Sequence, residues 1–225
     1  MKYQYEYDWS GAEKEFKTAI ELNPNIAWIR QAYGWFLMSM GRFDEAATEM
    51  DLAHELDPSS LTINIGRGRL YYFSRQYDRA VQQFQNIIAV EPTDYSAYIS
   101  LFDCYEQQKM YPEALDTLIK FQTQSGEDPK KAEHLRQTFS NAGWDGLVQE
   151  QLVDFEHDPH PEPAHAWSIA HIYLRARQYD KAMDWLEKAF VMHDPLMLQL
   201  KVEPAYDPLR SNPRFVRLLE KVGLQ

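Results

Sequence analysis

One position along this chain recurs every 34 residues as a small side chain. Alanine stands there five times and valine once, at Ala12, Ala46, Ala80, Ala114, Val148 and Ala182. Each is followed by a large apolar residue four positions later and by an apolar residue three positions after that, as in Ala46, Met50 and Ala53. This spacing places the three side chains on one face of an α-helix. A period of this length is typical of helical repeats, in which each repeat buries its apolar face against its neighbours.

Turn signals alternate with the helical segments in the same phase. A residue before proline avoids the α region, so helices are expected to end just before Pro24, Pro58 and Pro92. Two helices fit between consecutive prolines, because Gly41 can take the left-handed conformation that ends the first of them. The sequence therefore predicts an all-α chain of helix–turn–helix units. The expected helices span residues 9–22, 26–40, 43–56, 61–74, 77–90, 95–108 and 111–123.

The in-phase residues resemble the signature of the tetratricopeptide repeat (TPR) family, and the resemblance covers nearly the whole chain. They are Gly34, Leu37, Gly41, Phe43, Ala46, Ala53 and Pro58; then Gly68, Tyr71, Tyr77, Ala80, Phe84 and Pro92; then Tyr98, Leu101, Tyr105, Tyr111 and Ala114; and last Tyr173, Tyr179, Ala182 and Ala189. The resemblance implies a right-handed α-solenoid of about six repeats with a C-terminal capping helix.

The phase also sets the expected boundaries of a single array over residues 1–225. They are a half repeat (1–24), three clear repeats (25–58, 59–92 and 93–126), a divergent repeat (127–160), a further repeat (161–194) and a cap (195–225). Within the cap, Asn212 is expected to be a helix N-cap with Pro213 at the first helical position. Arg30 and Asn64 depart from the family pattern, which has a large apolar residue there.

The resemblance implies a peptide-binding site on the concave face, which the first helix of each pair forms in this family. The candidate site residues are Trp28, Gln31, Trp35, Met38, Ile65, Arg69, Tyr72, Ile99, Asp103, Glu106, Trp167 and His171. Tryptophan, tyrosine and arginine are common in binding hot spots. Alternatively, Trp28 and Trp35 pack between neighbouring helices, since seven residues of separation puts both on one helix face.

The candidate face argues against one known function of the family. TPR proteins that grip the acidic tails of heat-shock chaperones use a clamp of lysine and asparagine. The matching positions here hold Gln31 and Trp35, Ile65 and Arg69, and Ile99 and Asp103. A mixed apolar and acidic face instead suits a peptide with apolar anchors and a basic residue. The net charge of −11 disfavours direct binding of nucleic acid. No apolar run approaches the roughly 18 residues that span a bilayer.

A catalytic function receives little support from the sequence, which lacks nucleophile-elbow, phosphate-loop and dinucleotide motifs. No cofactor is expected. The segment around His157, His160, His165 and His171 raises the alternative of a metal-dependent enzyme. The spacing is poor for zinc, since no two of these histidines stand four apart on a helix, so chance clustering is the favoured interpretation and no metal site is assigned.

The predicted function is therefore a non-catalytic scaffold that binds a protein or peptide. The ending of the chain, with the opening around Trp9, is similar to the TPR-bearing C-terminal halves of bacterial winged-helix regulators, protein kinases and nucleotide cyclases. Because the chain begins with half a repeat, we expect it to be part of a longer signalling protein. An alternative is self-association as a homodimer through that half repeat, whose Phe16 and Ile20 lack the cover of a preceding helix. The sequence indicates no cellular compartment.

Overall fold

A computed structural model describes residues 8–157 and 166–224 of the chain. The described residues form helices and turns, with no β-strand among them. The α-helices are α1 (Trp9–Leu22), α2 (Ala27–Ser39), α3 (Phe43–Leu56), α4 (Leu61–Phe73), α5 (Tyr77–Val90), α6 (Tyr95–Gln107), α7 (Tyr111–Gln124), α8 (Pro129–His157), α9 (Ala166–Arg175), α10 (Tyr179–Val191) and α11 (Pro213–Val222). Two short 3₁₀ helices, Pro195–Gln199 and Pro204–Leu209, lie between α10 and α11.

The helices group into two compact units, one over residues 8–132 and one that begins at Glu133. In the first unit, α2 packs against α3, α4 against α5, and α6 against α7, and each pair also contacts the next. In the second unit, α9 and α10 form a further pair, and α11 packs on α10. The all-α, repeated helix-pair fold is thus confirmed, whereas the division into a single array with the stated boundaries stays a prediction.

The turns between paired helices carry the 34-residue period into the backbone. Gly41 has φ of 76°, and a left-handed residue follows at each 34-residue step: Arg75 (65°), Lys109 (59°), Gly143 (67°) and Arg177 (58°). Left-handed backbone ends a helix and reverses the chain, and glycine adopts it at least cost. Gly143 interrupts α8, so this long helix is two helices joined at the expected phase.

The alanine positions lie at the centre of the packing. Ala46, Ala80, Ala114 and Ala182 are each 0% exposed. The glycines of the first helices have a related role, because the large side chain four residues after each alanine lies over them. A Cβ at Gly34 would be 3.0 Å from two side-chain atoms of Met50, and one at Gly68 would be 2.6 Å from the Phe84 ring. Helices can approach this closely only where a side chain is missing.

The C-terminal segment closes the second unit as predicted. The Asn212 side chain accepts a hydrogen bond of 2.8 Å from the backbone N–H of Arg214, and Pro213 begins α11. Phe215, Leu218 and Val222 form the buried stripe of this helix. The Arg214 guanidinium donates to both carboxylate oxygens of Glu187 on α10, at 3.0 and 2.8 Å. None of the described helices combines the length and apolar character needed to cross a bilayer.

Candidate functional sites

Helices α2, α4 and α6 lie side by side in the first unit, because α2 contacts α4 and α4 contacts α6. We call the surface they share the first-helix face; it is where the sequence predicts a peptide site. Predicted residues that remain at least partly exposed there are Trp28, Gln31, Trp35, Ile65, Arg69, Ile99, Asp103 and Glu106.

Three of the predicted site residues are core residues instead. Met38 is 0% exposed, Tyr72 is 1% exposed and Trp167 is 5% exposed, so none of them presents a surface to a ligand. Met38 and Tyr72 occupy the same position in consecutive repeats, in the last turns of α2 and α4. Both are buried where the second helix of the pair folds back on the first, and the Tyr72 ring lies 5.9 Å from that of Tyr77 at the start of α5. This corrects the assignment of these three side chains to the surface.

The two tryptophans of α2 differ in their surroundings. Trp28 is 63% exposed, which is unusual for an aromatic side chain of this size. Trp35 is only partly exposed and packs toward α4, where a Cβ at Gly66 would be 3.4 Å from its indole nitrogen. Between them, Gln31 is linked to α4 by a hydrogen bond of 3.4 Å from the Thr62 hydroxyl. The alternative of packing between helices therefore holds for Trp35, while Trp28 is available for contact.

Arg69 and Asp103 form an ion pair within the face, not a free cation and a free anion. The guanidinium lies 3.4 Å from the Asp103 carboxylate, and the two side chains are 16% and 15% exposed. Arg69 also lies over the rings of Tyr72 and Phe73, at 5.4 and 5.1 Å from their centroids. The pair removes most of the acidic character that the sequence suggested for this part of the face.

In the second unit, His171 packs among aromatic rings. Its ring lies 5.5 Å from that of Trp167 and 5.0 Å from that of Tyr206, both measured between centroids. Burial raises the pKa of Tyr206 well above its ordinary value, so this phenol stays neutral. His171, which is partly exposed, thus belongs to the packing between α9 and the second 3₁₀ helix.

The histidine segment offers no described metal site. His157 is exposed at the end of α8 and its Nδ1 lies 2.8 Å from the backbone oxygen of Val153. His160 and His165 lie outside the described residues. Among the residues that the structure describes, no three His, Cys, Asp or Glu side chains converge in a way that would hold a metal ion.

The half repeat has more cover than the sequence suggested. Phe16 lies 5.6 Å from the rings of both Tyr33 and Phe36 on α2, and Trp9 lies 6.1 Å from Phe36. Phe16 and Ile20 are therefore only partly exposed. Homodimer formation through this end of the chain stays a prediction.

Sequence reasoning missed a second candidate site, a cleft of ≈ 420 Å³ on another side of α6. It lies between α5 and α7, with the largely buried side chains of Tyr98, Leu101 and Tyr105 at its floor. Gln85 on α5 donates a hydrogen bond of 2.9 Å to the Tyr105 hydroxyl. The wall contributed by α7 includes Glu113, Asp116 and Lys120. No motif marks these residues. Their one signal in the sequence is that the residues 34 positions earlier differ from them in charge.

Charge is unevenly distributed in this cleft. Lys120 and Asp116 pair at 2.8 Å, and the hydrogen bond to Asp116 raises the pKa of Lys120. Glu113 adds a second carboxylate on the same wall. The lining therefore has more anionic than cationic groups, next to a floor of aromatic and apolar side chains.

The repeated helix pairs, joined by turns in a constant phase, define a helical-repeat protein. Family models described as tetratricopeptide repeat match residues 15–48, 65–129 and 167–190. These stretches include the alanine positions 46, 80, 114 and 182. The chain belongs to the tetratricopeptide repeat family.

Individual relatives are more distant. The chain is 24% identical over 166 residues to the Hsp70-Hsp90 organizing protein 3 of Arabidopsis thaliana, covering 71% of this chain and 28% of that protein. It is 26% identical over 217 residues to the protein O-mannosyl-transferase TMTC1 of Homo sapiens, covering 90% of this chain and 24% of that one. The chain thus spans about a quarter of the length of these curated relatives.

One similar solved structure has also been described as a TPR protein. It is the crystal structure of YrrB, "a TPR protein with an unusual peptide-binding site", which shares 23% sequence identity with this chain at a TM-score of 0.43. The match covers 82% of this chain and 95% of that one.

Proposed function

We propose that this chain is a non-catalytic scaffold that binds a protein or peptide on its first-helix face. Membership of the tetratricopeptide repeat family supports an interaction role, as does a sequence without nucleophile or dinucleotide motifs. The observation that supports this particular face is Trp28, a large aromatic side chain that is 63% exposed. Exposed tryptophan is costly in water and is a frequent hot spot of protein interfaces.

The surroundings of Trp28 favour a ligand with apolar anchors. Gln31 and Trp35 are half-buried beside it on α2, and Ile65 and Ile99 continue the partly exposed surface on α4 and α6. The ion pair of Arg69 with Asp103 satisfies the charges at the centre of the face. Because Asp103 is already paired, a basic residue in the ligand has a smaller role here than apolar contact.

Peptide selection tests this proposal. The folded chain selects binders from a displayed library of random dodecapeptides, and the enriched peptides are then measured against Trp28→Ala. Loss of a hot-spot tryptophan weakens binding by about 2 kcal/mol, or roughly thirtyfold. The matched control is Val90→Ala, an apolar side chain that is 77% exposed on α5. Equal affinity of Trp28→Ala and the wild type for every selected peptide would falsify the assignment to this face.

We infer further that the chain is the sensory or regulatory part of a longer bacterial signalling protein. Support comes from the likeness of its ending to the TPR halves of bacterial regulators. The coding sequence upstream of this chain is the test. A winged-helix, kinase or cyclase domain is expected there, and an open reading frame that encodes a different kind of domain argues against a signalling role.

A further inference from the structure

The cleft between α5 and α7 lies on a different side of α6 from the first-helix face. We propose that it receives an arginine side chain of a partner protein, which stacks on Tyr105 and pairs with Glu113. The cleft volume of ≈ 420 Å³ lies within the range of about 300–1,000 Å³ that is usual for ligand sites. This docking point is separate from the first-helix face and does not depend on the function proposed there.

The preceding repeat holds an arginine of this chain in the equivalent arrangement. Arg79 lies over the ring of Tyr71, with its Cζ 4.0 Å from the ring centroid. Its Nη2 also donates a hydrogen bond of 3.0 Å to the Tyr71 hydroxyl. Tyr105 stands 34 residues after Tyr71, whereas the residue 34 positions after Arg79 is Glu113. The third repeat therefore keeps the aromatic ring but replaces the cation that covers it with an anion.

A second arginine of the preceding repeat also has no counterpart in the third repeat. Arg67 pairs with Asp51 at 3.1 Å, across the groove between α3 and α4. The residues one period later are Leu101 and Gln85, which line the open cleft. Neither can form an ion pair, so this position adds free space and apolar surface.

In the first clear repeat, the equivalent groove is filled by an arginine at a different position. Arg30 pairs with Glu49 on α3 at 2.8 Å, and the positions two periods later are Tyr98 and Thr117. Arg30 is one of the departures from the family pattern noted in the sequence. In each of the two earlier repeats, an arginine of the chain thus fills the equivalent groove. The third repeat has no arginine there, and its groove is the open cleft.

The charge of the cleft matches an incoming guanidinium. Lys120 already pairs with Asp116, and no cation of the described residues pairs with Glu113. Arginine suits such a site because its planar group stacks on an aromatic ring while its N–H groups pair with a carboxylate. Tyr98 and Tyr105 line the cleft but are only 5% and 8% exposed, so an incoming guanidinium contacts the limited part of the Tyr105 ring that faces the cleft. Phosphate-bearing ligands are disfavoured by the same carboxylates.

The test is a nuclear magnetic resonance titration of the full chain with two matched probes. One is the acetylated and amidated tripeptide Ala-Arg-Ala, and the other is the same peptide with citrulline, which keeps the shape and lacks the charge. The arginine probe is expected to shift amide signals of residues 85–89, 98–105 and 112–120, and to bind roughly fivefold more tightly than the citrulline probe. Equal binding of the two probes, or shifts confined to the first-helix face, overturns the proposal.

Two variants make the test specific. Glu113→Arg restores the arginine of the preceding repeat, and we expect it to fill the cleft and to abolish binding of the arginine probe. Glu113→Gln, which removes only the charge, is expected to weaken binding roughly fivefold. Glu15→Gln, an exposed carboxylate on α1, is the matched control and leaves binding unchanged. Trp28→Ala also leaves it unchanged, which separates this site from the first-helix face. Unaltered binding by a folded Glu113→Gln contradicts the inference.

Discussion

Replacing Gly68 by alanine tests whether the repeats depend on close helix approach. The new Cβ would lie 2.6 Å from Cε1 and Cζ of Phe84, a side chain that is 0% exposed. Overpacking of a core costs about 1–3 kcal/mol. The cost here is at the upper end of this range, because the new Cβ contacts a rigid ring and not the end of a flexible side chain. Alanine recovers about 1 kcal/mol of helix propensity over glycine. The free energy of unfolding should therefore fall by about 2 kcal/mol.

Gly66→Ala is the matched control, two residues earlier in the same helix. Its Cβ would lie 3.1 Å from Cε and Sδ of Met50, the mobile end of a flexible side chain. Methionine adapts to such changes at small cost. The gain in helix propensity then dominates, and we expect this variant to be more stable than the wild type by about 0.5 kcal/mol.

Urea unfolding followed by circular dichroism measures both variants, and hydrogen exchange of the α4 peptides locates the effect. A second substitution makes the reasoning stricter. Phe84→Leu removes ring atoms, so in the Gly68→Ala background it should cost at least 1 kcal/mol less than it does alone. If Gly68→Ala is as stable as Gly66→Ala, or if the double variant is simply additive, the steric argument is refuted.

Three further predictions concern local contacts. Hydrogen bonds led by that from Lys17 lower the pKa of Glu13 to about 2, so its stabilisation is complete above pH 4.5 and is lost as the pH falls toward 2. Glu13→Gln should lower stability at pH 7 by about 1 kcal/mol after allowance for solvent screening, and should flatten the acid part of a stability–pH curve. Arg214→Met removes the two-pronged pair with Glu187 and should destabilise α11 by about 1 kcal/mol, read from hydrogen exchange of its amides. Lys109→Gly relieves a left-handed backbone with φ of 59° and should raise the urea midpoint, by about 0.5 kcal/mol in stability.

The helix boundaries were predictable because local signals mark each of them. The expected helices 9–22, 43–56 and 77–90 coincide with α1, α3 and α5, and the others differ by one residue at one or both ends. Each end depends on residues next to it in sequence, such as a proline, a glycine or a capping side chain. Because the signals recur every 34 residues, a wrongly placed helix end in one repeat can be recognised by comparison with the others.

Exposure within the first-helix face was less predictable, because it depends on neighbouring helices. Trp28 and Trp35 share one face of α2, yet only Trp28 is mostly exposed. Trp35 packs against α4, where a Cβ at Gly66 would be 3.4 Å from its indole nitrogen, whereas Trp28 lies near the start of α2 and is 63% exposed. Similarly, Met38 and Tyr72 are at positions that the phase assigns to the surface, yet they are 0% and 1% exposed because the second helix of each pair packs over the end of the first. A periodic pattern shows which side chains share a face of a helix. It does not show how much of that face the neighbouring helices cover.

The cleft shows what a repeat pattern omits when only its shared positions are used. The alanine, glycine and proline positions identify the fold because they are alike in every copy, and for the same reason they cannot distinguish one groove from the next. Information about the groove lies where the copies differ: arginine at 67 and 79, against leucine at 101 and glutamate at 113. Those differences acquire meaning only when the structure brings the four positions to equivalent places beside Tyr71 and Tyr105. A groove that loses its own cations and gains a carboxylate has become complementary to the side chain that fills its neighbour.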